Sequence, residues 1–256
     1  MIRALSTLAW NGFREARRNR VTVIVAAFAV ALVLAAVLLT EATVTTLERV
    51  LTDLGLGSMS LMLTLLAIFL STGLLSKEIE RRTIFMIVSR PISRALFLVA
   101  RLAGNMLTLA VILSLMAALF LAEVWLYRFP IHQAQLVSMA VLWLELLVLT
   151  SVGFVMSSFS SQIVSAVVTS GVYFGGHLSS QIYILSGRSD SSFLRALGKV
   201  IYYLLPNLES LNFRPQAAYA VRVTGGEIWN AVAVGVGYSA VMIGLAVLIF
   251  SRRDFK

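Results

Sequence analysis

SKEIERRTIFMIVSRPISRALFLVAR, Ser76 to Arg101, is a strongly charged island between two long apolar stretches. It holds six of the chain's 21 lysines and arginines: Lys77, Arg81, Arg82, Arg90, Arg94 and Arg101. Basic residues flanking apolar spans are retained on the cytoplasmic side, so the island predicts a cytoplasmic segment between two transmembrane helices. At 3.6 residues per turn, residues 77–88 put Ile79, Met86 and Ile87 on one side, with Glu78, Arg81 and Arg82 largely on the other. That is the pattern of a helix lying flat. Pro91 disfavours α geometry at Arg90 and ends this helix, and Ser93 can cap the next. A short two-faced helix held between spans suits the passage of a push from a soluble partner into a membrane bundle. An ordinary loop whose basic residues only set topology is the plainer reading of the same residues.

Composition points the same way. Hydrophobic residues make up 59% of the chain and charged ones 13%, and mean hydropathy is +0.90, more apolar surface than one soluble core could hide. This predicts an all-α polytopic membrane protein. The net charge of +9 invites a nucleic-acid reading, but the basic residues sit at the ends of apolar spans rather than on one soluble face. The absence of cysteine excludes disulfides, thiolate metal sites and cysteine nucleophiles.

In chain order, residues 1–20 predict an interfacial helix, with Ile2, Leu5, Leu8, Ala9 and Phe13 able to share a face and Arg14, Arg17, Arg18 and Arg20 clustered beyond. Residues 21–40 are too long an uncharged run for a signal peptide and predict the first span. Residues 41–57, with Glu41, Glu48 and Asp53, are expected outside, and 59–75 form the second span. The coupling region 77–94 follows. The third span is 95–127, with Arg101 snorkelling to the headgroups and Trp125, Tyr127 and Phe129 as an outer aromatic belt. Residues 135–156 and 163–185 are the fourth and fifth spans, and 228–250 the sixth. Between the last two, 190–215 predicts a small outer helical segment, amphipathic from Phe193 and stopped by Pro206. Six helices place both termini in the cytoplasm, with 14 basic residues inside and seven outside. The whole chain, 1–256, reads as one transmembrane domain.

The catalytic inventory is thin. There is no G-x-x-x-x-G-K-[ST], so ATP-driven work requires a partner chain. Two histidines, no cysteine and no H-E-x-x-H argue against zinc, and no metal or cofactor is expected in this chain. Gly237, Tyr238, Ser239 and Ala240 spell G-x-S-x, and with His177 they outline a serine protease on paper. Small residues around Ser239 are more simply explained by close helix packing.

Polar residues inside the spans carry more information. Ser165, Thr169, Tyr173, His177 and Gln181 recur every four positions and form one stripe, either a hydrogen-bonded seam or part of a substrate path. Glu145, near the middle of the fourth span, needs a partner or a cavity, and structural glue and a transport-linked carboxylate are both open. Glu123, nearer the interface, reads as solvated.

With these residues in view, the chain resembles the membrane subunit of ATP-binding cassette transporters of the ABC-2 export class. The resemblance rests on S-K-E-I-E-R-R-T-I-F-M-I-V-S-R-P-I-S-R after the second span, and on P-N-L-E-S-L-N-F, Pro206 to Phe213, between the fifth and sixth. It implies a homodimer with two copies of an ATPase subunit that binds ATP and magnesium, in a bacterial cytoplasmic (inner) membrane, and leaves room for a periplasmic protein. It further implies that Glu78, Glu80, Arg81, Arg82 and Thr83 relay ATPase closure, with Pro91 and Arg94 shaping the exit. Thr64, Ser71, Glu145, Thr169, Tyr173 and His177 become path-lining candidates. Two rivals are a secondary transporter, disfavoured by the single central charge and the lack of a repeat, and a scaffold that assembles an envelope complex without moving a solute.

Overall fold

The computed structural model describes residues 21–38, 44–80 and 94–252. Among these, every regular element is helical. They are α1 (Val21–Leu38), α2 (Val44–Glu80), α3 (Arg94–Leu126), α4 (Gln133–Ser157), α5 (Gln162–Gly187), α6 (Ser192–Leu204), a 3-10 turn (Leu208–Leu211), α7 (Arg214–Ala218) and α8 (Gly225–Arg252). Four stretches are long and apolar enough to cross a bilayer: Leu47–Gly73, Ala95–Leu126, Gln133–Ser157 and Gly225–Arg252. Helix α1, 18 residues long, carries no charged residue. Helix α5 has the length, but its serines, threonine, glutamine and histidine dilute its apolar character.

The centre of the bundle is α4, which packs against α2, α3, α5, α7 and α8 and buries 17 of its 25 residues. Its entry is set locally. Pro130 precedes it, the His132 backbone N–H donates to Gln135 Oε1 at 3.1 Å, and Gln135 Nε2 donates to Thr52 Oγ1 at 3.3 Å. Beside them His132 Nε2 lies 3.0 Å from Glu48 Oε1. These contacts pin the start of α4 to the first turns of α2. At the opposite end of the bundle, Phe97 and Phe250 stack at 6.3 Å.

Three expectations change. Helix α2 begins at Val44 and its apolar part at Leu47, within the segment 41–57 expected outside and ahead of the span expected from 59. Gly55 is a packing position: a Cβ there would lie 2.6 Å from the Phe120 ring. The island also does not begin a separate flat helix at Lys77, since α2 continues without interruption to Glu80 and nothing between Gly73 and Glu80 breaks a helix. Finally, Arg101 does not snorkel. It is buried in the bundle, 7% exposed. The interfacial helix 1–20, the island residues 81–93 and the tail 253–256 lie outside the described residues.

The segment between α5 and α8 is not laid flat on a surface either. Helix α6 runs antiparallel along α5: Gly198 packs against Ser186 and the Ile182 carbonyl, Tyr183 and Tyr202 stand 4.7 Å apart, and Leu205 reaches Gly175. Leu205 therefore sits beside a residue 12 positions before the end of α5, roughly 18 Å down its axis at 1.5 Å per residue. Pro206 then stops the helix. Periodicity identified an amphipathic helix here, but only the small residue at Gly198 and its fit to α5 decide which surface it joins.

Candidate functional site

Helix α5 buries only Ser165, Thr169, Gly176 and Ser179 and turns Ile163, Val167, Phe174 and Leu185 outward. Small and polar residues inside, apolar residues outside, is the arrangement a helix adopts in lipid. Thr169 Oγ1 donates to the Ser165 carbonyl at 2.7 Å, and the Ser165 and Ser160 hydroxyls meet at 2.7 Å. On α2 the hydroxyls of Ser60, Thr64 and Ser71 are buried. Ser71 donates to the Ile68 carbonyl at 3.0 Å and packs against Gly153, where any side chain on α4 would collide with it. The polar stripes of α2, α4 and α5 thus share one seam.

The seam culminates at His177. Its Nε2 lies 3.1 Å from Glu145 Oε1, and its Nδ1 lies 3.2 Å from Glu209 Oε2. Both contacts are satisfied together when the ring carries both protons, or when one carboxyl keeps its own proton and donates it. Tyr173, one turn earlier, presents its ring edge-on to His177 at 4.8 Å, and Ser60 and Arg214 flank its hydroxyl. Asn212 Nδ2 donates to both oxygens of Glu209 at 3.3 Å, while Arg214 Nε donates to Asn212 Oδ1 at 2.9 Å. Ser60, Ser138, Glu145, Asn212 and Arg214 border a cavity of about 10 Å³, the room of a single water.

Glu145 is the thirteenth residue of 25 in α4, so Glu209, although it belongs to the segment between α5 and α8, reaches mid-height in the bundle. It is carried there by Leu208, Leu211 and Phe213, all buried, and by Gly176, where a Cβ would come within 2.8 Å of the Pro206 carbonyl. The segment is re-entrant.

Several predicted residues are thereby placed. Glu145, Tyr173 and His177 meet in one cluster, and Thr64, Ser71 and Thr169 lie along the seam leading to it. Glu78 and Glu80 are in the last turn of α2 and Arg94 opens α3, whereas Arg81, Arg82, Thr83 and Pro91 fall outside the described residues. Sequence reading missed the roles of Glu209, Asn212 and Arg214. The available signal was an acid set between buried leucines in P-N-L-E-S-L-N-F. Ser239 is buried, and no hydrogen bond joins it to His177, whose two nitrogens face carboxylates, so no nucleophile–base pair forms. No group of His, Asp and Glu suited to a metal ion occurs among the described residues.

A helical bundle that keeps its polar groups inside and presents apolar side chains outward defines an integral membrane protein. The chain belongs to the ABC-2 family of transporter proteins, whose sequence model, described as ABC-2 family transporter protein, matches residues 6–255. No curated protein matches it.

Proposed function

We propose that the chain is the permease subunit of an ATP-binding cassette exporter. Two copies pair in a bacterial cytoplasmic membrane, and two separate ATPase subunits, which hold the ATP and magnesium, grip the island 77–94 from the cytoplasm. The chain itself is not an enzyme. Besides family membership, the continuity of α2 carries this reading. It is one rod of 37 residues, roughly 55 Å at 1.5 Å per residue, that begins at the Glu48–His132 contact and ends in Glu78 and Glu80. A displacement at the island is delivered along that rod to Ser71 against Gly153 of α4, and through α4 to Glu145, His177 and the re-entrant Glu209. The six-span topology with cytoplasmic termini follows from the basic residues at the island end.

Because the native chain has no cysteine, a single Glu80→Cys variant permits one-site crosslinking. In native membranes position 80 should crosslink to a P-loop ATPase, and the purified complex should hydrolyse ATP. An island reached only by membrane-impermeant thiol reagents applied from outside, or a functional complex without any ATPase, would refute the assignment. Hydrolysis with no solute moved would favour the scaffold reading instead.

A further inference from the structure

A second site lies away from the seam. Between α1 and α3, towards the end of the bundle where α3 stops, is a groove of about 550 Å³ walled by Leu32, Val33, Leu119, Trp125 and Tyr127. That volume is in the range of sites for drug-sized molecules. Glu123 lines it, and although the residue is part-exposed near the end of α3, its Oε2 is buried and has no hydrogen-bond partner. A carboxylate oxygen taken out of water without a partner is costly, and a counter-charge brought by a ligand would relieve that cost. Among the described residues lining the groove there is no Lys, Arg or His.

We propose that this groove binds hydrophobic organic cations, with Glu123 as counter-ion and Trp125 and Tyr127 as aromatic walls. Each part of the site matches one part of such a ligand. The apolar walls take its body, the unpaired carboxylate oxygen takes its charge, and electron-rich ring faces attract a cation within about 6 Å. A phospholipid fits less well, since its phosphate would meet an acid with no base in the lining to balance it. The site stands independently of the coupling reading, because binding to it requires no ATPase.

Tetraphenylphosphonium and tetraphenylborate share size and shape and differ in sign. With the full chain in phosphatidylcholine nanodiscs, and empty discs subtracted, labelled tetraphenylphosphonium should bind saturably, and labelled tetraphenylborate, measured in a separate sample because the two ions precipitate together, should not. Glu123→Gln, nearly isosteric, should weaken binding at least tenfold without altering the melting profile. Leu119→Trp, which fills the groove and keeps the acid, should do the same. Unchanged binding in either variant overturns the proposal, as does equally tight binding of the anion in its own sample. Displacement by added phosphatidylethanolamine would assign the groove to lipid, and no saturable binding would mean that a second copy or another surface covers it; both outcomes also overturn it.

Discussion

Replacing His177 by Leu removes the group that joins two carboxylates across the bundle. The cost follows from the surroundings of each acid. The Glu145 side chain is 3% exposed and loses its hydrogen-bond partner, so it becomes a buried carboxyl without one, a situation that costs on the order of 3 kcal/mol. The Glu209 side chain is 45% exposed and keeps Asn212, so it rehydrates at little expense. For a chain of this size the loss corresponds to a fall in melting temperature on the order of 10 °C. Thermal unfolding of the purified protein in nanodiscs measures it. The double variant His177→Leu with Glu145→Leu should recover most of the loss, because a packed apolar pair replaces a buried polar one at little net cost. Glu209→Gln should cost below about 1 kcal/mol, as half-exposed ion pairs do. If His177→Leu melts within about 2 °C of the parent, or if the double variant is no more stable than the single one, the cluster is not a buried polar junction and the reasoning fails. The same variant also separates the two readings of the stripe: assembly should suffer more than transport at a packed seam, and transport more than assembly along a wetted path.

Three more predictions concern the route between island and cluster. Gly153→Val should drive α4 off Ser71 and destabilise by about 1–3 kcal/mol, whereas Gly171→Ala, where a Cβ meets nothing within 4 Å, should raise the melting temperature slightly because alanine is the better helix former. Gly176→Ala should push against the Pro206 backbone and loosen the re-entrant segment, read as faster hydrogen exchange over 206–213 with exchange in α4 unaltered. Glu80→Ala or Arg82→Ala should leave membrane insertion intact but separate ATP hydrolysis from transport in the reconstituted complex. Unchanged transport in both would remove these residues from the relay.

Much of this protein is legible in one dimension. Apolar runs of bilayer length with basic residues gathered at their ends mark an all-helical membrane protein, because each property depends on composition or on spacing along a single helix. The four-residue recurrence of Ser165, Thr169, Tyr173 and His177 likewise marked the face of α5 that turns inward, since the period of a helix is local, although Gln181, the last of the series, is exposed. The role of Gly55, by contrast, is invisible along its own helix. A glycine that ends a helix and one that admits a Phe120 ring look the same until the neighbouring helix is in place.

Contacts between distant segments were decided only in three dimensions. His177 and Glu145 are separated by 32 positions, as are His177 and Glu209, and no periodicity links them. Their meeting depends on α6 doubling back along α5, which rests on Gly198 and Gly176 accepting close neighbours. Glu123 shows the same division. Its position near a span end suggested water, but whether a carboxylate oxygen is wet depends on how α1 packs beside α3, and packing between helices is a property of the assembled bundle rather than of either strand of sequence.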